Sequence, residues 1–127
     1  MINSIAKLFL VLGSVNAMLA VMLGAFGAHG LKKMLTPDLL AVFVTGVQYH
    51  FYHALGLIAV GLVAVHLPGS IQLKLSGWLM VAGIIVFSGS LYLLALTGVR
   101  WLGAITPIGG VCFILAWAML ALAVYKA

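Results

Sequence analysis

Acidic residues are almost missing from this sequence: among 127 residues there is one aspartate, Asp38, and no glutamate. Charge of either sign is scarce, with six Lys or Arg and 6% charged residues in all, where a soluble globular domain has about 25%. So few charges cannot cover a water-facing surface, and lipid must solvate most of the exterior. The scarcity also excludes chemistry. Ser88 and Ser90 stand far in sequence from the only acid, so a Ser-His-acid triad cannot be assembled. Proton-driven carriers usually hold a carboxylate within a span, and none is present in the apolar segments. The single cysteine, Cys112, can form no intramolecular disulfide and reads as a small core hydrophobe. Lys7, Lys32, Lys33, Lys74, Arg100 and Lys126 are scattered, whereas a nucleic-acid footprint needs a clustered patch. They fall where apolar segments end, as membrane-interface anchors do.

What is abundant is apolar: 66% of the residues are hydrophobic and the mean hydropathy is +1.35. A helix crosses the hydrocarbon with about 20 mostly apolar residues, and four stretches qualify. The first covers about Leu8–Phe26. Its cationic start resembles that of a signal peptide, but it exceeds the usual ~7–15-residue signal core, so a retained helix is expected. The second opens at Thr36-Pro37-Asp38, which reads as N-cap, first helical position and a first-turn acid against the dipole. It runs to about Val65, before Pro68-Gly69, and is long enough to require tilt. The third covers about Leu75–Leu96 and the fourth about Leu102–Val124. The connector with Gly98, Arg100 and Trp101 is short enough to predict a tight helical hairpin. Together these segments predict one all-α membrane domain, a transmembrane four-helix bundle, across residues 1–127. No inverted pair of broken segments suggests a duplicated transporter.

Inside lipid, helices associate through small residues and a few polar bonds. Gly13, Asn16, Ala20, Leu23 and Gly27 share one face of the first span, and Ala20, Gly24 and Ala28 add a small-residue ladder. Ser76, Met80, Gly83, Phe87 and Ser90 recur at helical spacing on the third. On the second span Thr45, Gln48, Tyr49, Tyr52, His53 and Gly56 fall within roughly 140° of arc, with His50 about 60° outside. Polar groups at mid-span face a bundle interior or a cavity. They serve either as interhelical glue, bonding to carbonyls or to Asn16, or as a working site. Two histidines are too few for a closed zinc site, and a six-coordinate haem needs an axial ligand on each face where only the second span offers central histidines, so neither metal nor cofactor is expected. In Thr106-Pro107-Ile108-Gly109-Gly110 the proline and glycines predict a kink in the fourth span, or a backbone opened onto a cavity.

Gly24-Ala25-Phe26-Gly27-Ala28-His29-Gly30-Leu31 resembles the GAFGAHGL signature of the YgdD/YwdK family, small bacterial inner-membrane proteins with an animal relative called transmembrane protein 256. The segment around Tyr49, His53, Ala54 and Leu55 is similar to a second family motif. Phe87-Ser88-Gly89-Ser90-Leu91-Tyr92 and Thr106-Pro107-Ile108-Gly109-Gly110 resemble a third and a fourth, and Ala116-Trp117 a late alanine/glycine-tryptophan position. His50 stands where the family pattern has glutamine, so no role is transferred to it. The resemblance implies four spans, a bacterial inner membrane and cytoplasmic termini, and carries no activity. The cations themselves split evenly: Lys7, Lys74 and Lys126 on one side, Lys32, Lys33 and Arg100 on the other.

The motifs are expected to meet in one cluster around His53, Ser88, Ser90 and Thr106. Three functions fit. The first is a non-enzymatic accessory or assembly partner of other membrane proteins. The second is a small channel or carrier working as a homo-oligomer. The third is a binder of a lipid, quinone or haem through Tyr49, Tyr52 and His53. Apart from membrane lipid and protein, no partner is expected, and nucleic acid is excluded.

Overall fold

The computed structural model describes residues 1–127 as four long helices without a strand. We number them α1, Ser4–His29; α2, Pro37–His66; α3, Ile71–Thr97; and α4, Thr106–Tyr125. A 3₁₀ turn, Arg100–Ala104, precedes α4. All four are long and apolar enough to cross a membrane. Each end has a local cause. The Asn3 carboxamide oxygen caps α1 by accepting from the Ala6 N–H at 2.9 Å, while its NH₂ donates to the Ala64 carbonyl at 2.9 Å, pinning the start of α1 to the end of α2. Ser70 caps α3 through the Leu73 N–H at 3.2 Å. Gly98, at φ 72°, closes α3 in the left-handed conformation that glycine adopts without strain.

Two expectations need correction. Thr36 stands at the N-cap of α2 but makes no side-chain cap; its hydroxyl donates to Asp38 instead, at 2.5 Å. Pro107 does not kink a helix. It lies in the first turn of α4, where its missing N–H costs nothing, because Gly98 to Ile105 form a longer connector than the spacing suggested.

The helices are held by rings seated on glycines. A methyl group at Gly27 (α1) or Gly46 (α2) would lie 2.9 Å from the ring of Phe43 or Tyr92, respectively. Gly77 and Gly83, both on α3, lie directly beneath the Phe9 ring of α1 and the Phe113 ring of α4. These four contacts join α1 to α2, α2 to α3, α1 to α3 and α3 to α4. Met80 beside Gly56, Leu10 beside Gly61 and Ile58 beside Gly13 repeat the device with aliphatic side chains. The face read on α1 is the packed one: Gly13, Ala20 and Gly27 are buried, and Gly24 lies against Val47, whereas Ala28 is exposed.

The middle of α3, Ile84–Ser88, is a π turn, which amounts to one residue inserted into an α-helix. Before it, Ser76 donates to the Ala116 carbonyl of α4 at 2.7 Å and Gly83 receives Phe113. At its last residue Ser88 donates to the Gly46 carbonyl of α2 at 2.7 Å, and beyond it Tyr92 packs on Gly46. The inserted residue therefore shifts the main packing of α3 from α4 towards α2, although Met80 already meets Gly56 of α2 before it and Ser90 still bonds Thr106 of α4 after it. At the turn itself, Gly109 of α4 abuts the Phe87 backbone, a contact no side chain would permit.

On one side of the bundle Arg100 pairs with Asp38 at 2.8 Å, joining the start of α2 to the α3–α4 connector. Both side chains are largely exposed, so the pair adds little stability. The outer surface is apolar, with Val11, Met18, Leu93, Ile108 and Ile114 among its exposed residues. Trp101 and Tyr125 are exposed near helix ends, where aromatic belts sit.

If the seats carry the packing, Gly77→Val should destabilise the bundle by about 1–3 kcal/mol or more through overpacking. Gly89→Ala, whose added methyl meets nothing within 4 Å, should be neutral or stabilising by up to ~1 kcal/mol. Reversible unfolding of both variants in mixed micelles checks the contrast.

Candidate functional site

At 1.5 Å per residue α2 is about 45 Å long, and its midpoint falls between His50 and His53. Both rings are buried, and a span centred on a hydrocarbon layer about 30 Å thick carries them near its middle. They face different neighbours. His50 lies between α1 and α3, with Nε2 2.9 Å from Asn16 Oδ1 and Nδ1 2.9 Å from the Tyr92 hydroxyl. The Asn16 NH₂ donates to the Leu12 carbonyl at 2.8 Å, so its oxygen must accept from His50 Nε2–H. Nδ1 is then the acceptor for the Tyr92 O–H. The resulting chain runs one way, Tyr92 to His50 to Asn16 to the Leu12 carbonyl, with a neutral imidazole. It ties three helices together at mid-depth. His50 thus lies outside the arc read on α2, as its 60° offset implied, and is buried all the same against other neighbours. α2 packs on more than one side, so its buried surface is wider than one arc.

His53 faces α4. Its Nδ1–H donates to the Tyr49 carbonyl at 2.7 Å, and its Nε2 accepts from the Trp117 indole N–H at 3.0 Å. The imidazole stacks on Phe113 with ring centroids 3.5 Å apart and planes 8° from parallel. Phe87 from the π turn completes an aromatic wall, 4.6 Å from Tyr49 and 5.4 Å from Phe113 between ring centroids. A groove of about 460 Å³ opens among Tyr49, His53, Phe87, Gly110, Phe113 and Trp117, with Ile114 at its rim.

Ser88, Ser90 and Thr106 make their own bonds, two of them between helices. Ser90 donates to the Phe87 carbonyl at 2.9 Å, so the 2.6 Å contact with Thr106 has the threonine as donor. Ser88 is spent on Gly46, and Thr45 bonds back to the Ala41 carbonyl at 3.0 Å. The supposed polar face splits. Gln48, Tyr49 and Tyr52 are exposed on the outside of the bundle. His29 and His66 lie exposed at the ends of α1 and α2, and no three His, Cys, Asp or Glu side chains gather. Sequence reasoning missed Tyr92, whose only signal was its place at the end of the Phe87–Tyr92 motif.

Replacing His50 by alanine strands the Tyr92 hydroxyl and the Asn16 oxygen, which should cost about 1–3 kcal/mol. Glutamine, the residue of the family pattern, offers one donor and one acceptor in the same order. His50→Gln should therefore recover at least half of that loss in the same unfolding assay.

Residues 23–110 match a family described as a protein of unknown function, DUF423. Over 120 residues the chain is 55% identical to the UPF0382 membrane protein YwdK of Bacillus subtilis, covering 94% of this chain and 98% of that one. It is 51% identical to the UPF0382 membrane protein SSP2132 of Staphylococcus saprophyticus, with 94% and 98% covered. A UPF0382 membrane protein of Staphylococcus epidermidis is 51% identical, with 94% and 97% covered. No solved structure matches the chain. The chain therefore belongs to the YgdD/YwdK family of membrane proteins that its motifs resemble.

Proposed function

We propose that this chain is a non-enzymatic accessory or assembly partner of another protein in the bacterial inner membrane, which it meets along the outer groove between α1 and α2. Gln48 carries this reading. It lies about 17 Å along α2, well inside the hydrocarbon, yet it is exposed and its amide takes part in none of the bonds above. An amide without a partner costs several kcal/mol in lipid. The groove beside it, about 310 Å³, is walled by small residues of α1, Ala20, Gly24 and Ala25, and by Val47 and Phe51 of α2. Tyr52, 53% exposed, stands at its edge. Small residues let a second backbone come close, and a polar side chain then supplies the interhelical bond. Within the bundle the polar groups are engaged with one another, and the only acid is held by Arg100 at the membrane edge. That distribution suits a scaffold better than a catalyst.

Cytoplasmic termini fit the same reading. Lys7, Lys74 and Lys126 lie on the terminal side and three cations lie opposite, so the family resemblance is what favours this orientation.

A photo-crosslinking residue at Val21, in the intact bacterial membrane, should give an adduct of fixed mass with one other membrane protein. Gln48→Leu should weaken that association about 3- to 15-fold, the equivalent of one interhelical bond of ~0.6–1.7 kcal/mol. Adducts with lipid alone would sink the proposal, and adducts only with a second copy of the chain would replace it by self-assembly.

A further inference from the structure

We propose that the groove between α2 and α4 is a binding site for a lipid-soluble molecule of the quinone class, a flat ring carrying oxygen. The site is separate from the α1–α2 groove, and its occupancy does not depend on any protein partner.

Depth narrows the ligand first. His53 lies about 24 Å along a helix of about 45 Å, close to the middle of the bilayer. No charged side chain lines the groove, so an anionic headgroup has neither access nor a counter-ion. The ligand must arrive through the hydrocarbon, and the rim allows this: Ile114 is 70% exposed and Trp117 43%. The volume of about 460 Å³ falls in the range of small-molecule sites, ~300–1,000 Å³.

The walls narrow it further. Tyr49, Phe87, Phe113 and Trp117 present rings, which favour an aromatic guest by offset or edge-on stacking. A saturated acyl chain would gain nothing from them over the lipid it left. The polar groups then select oxygen. Trp117 offers an N–H that is satisfied only by His53 Nε2. The Tyr49 hydroxyl takes part in none of the bonds described above, although Tyr49 lines the groove. A ring carbonyl can accept from either. When Trp117 turns to the guest, His53 Nε2 becomes free to accept from a ring hydroxyl, while Nδ1–H stays fixed on the Tyr49 carbonyl at 2.7 Å. One donor and one acceptor side by side thus fit both the carbonyl and the hydroxyl form of such a ring. A six-coordinate haem fits less well, since it requires an axial ligand on each face and the groove has one histidine. The wall also depends on irregular backbone: Phe87 is presented by the π turn, a feature that often marks functional sites. Gly110 keeps the floor clear, because a methyl group there meets nothing nearer than Phe87 at 3.9 Å.

The test uses Trp117 as reporter. Trp78→Phe and Trp101→Phe remove the other two tryptophans, both exposed, and the full chain is placed in nanodiscs. 2-Methyl-1,4-naphthoquinone should quench Trp117 with a saturable curve. Gly110→Leu, which fills the groove from open space, should weaken the saturable phase at least tenfold while circular dichroism keeps its helical signal. If that variant loses helix, Ile114→Phe at the rim serves as the second block and should act in the same direction. Linear quenching, equal with and without the block, would show membrane partition only and overturn the site. Displacement by an equal concentration of 2-methylnaphthalene, which lacks oxygen, would overturn the quinone class.

Discussion

An aromatic ring resting on a glycine of the facing helix is the contact on which this bundle depends. Lipid gives helices no hydrophobic reason to associate, so contact area and close approach must supply the energy. Phe43 on Gly27, Tyr92 on Gly46, Phe9 on Gly77 and Phe113 on Gly83 connect all four helices. Each seat lets a large side chain reach the opposite backbone, where dispersion contacts are numerous. It also brings carbonyls within reach of hydroxyls. Ser88 bonds to the carbonyl of Gly46, itself a seat, and Ser76 bonds to Ala116 one turn from Phe113. Packing and polar bonding thus share one register.

The two histidines show how one helix can serve two tasks. They stand three residues apart, yet His50 closes a bonded chain across α1 and α3 while His53 joins a ring stack on α4. The first is enclosed and saturated. The second borders an open groove, and its partner Trp117 sits half-exposed at the edge. The polar groups around His53 border one groove, and Gln48 and Tyr52 border another.

The four spans were legible because hydropathy alone decides which segments lipid will accept. The packing faces of α1 and α3 were legible because small residues recur at helical spacing. The site was read less well. Counting polar residues on α2 assumed that polarity implies burial, and this grouped Gln48, Tyr49 and Tyr52 with His53, although all three are exposed. Burial on α2 follows the glycines and alanines instead, with Gly46, Ala54, Gly56, Gly61 and Ala64 lying inside. Tyr92 and His50 meet only because α3 changes direction of contact at its π turn, and no hydropathy pattern announces an inserted residue.

That turn has a consequence for how the gene can vary. Because α3 packs mainly on α4 before the insertion and mainly on α2 after it, its two halves keep different phases, offset by one residue. Deleting a single codon between those halves would restore an unbroken α ladder and a more regular helix. It would also rotate Ser90, Leu91 and Tyr92 by about 100°, away from Thr106, Gly46 and His50 together. Single-codon loss in this segment is therefore more damaging than most substitutions within it, because two interfaces are timed to the extra residue.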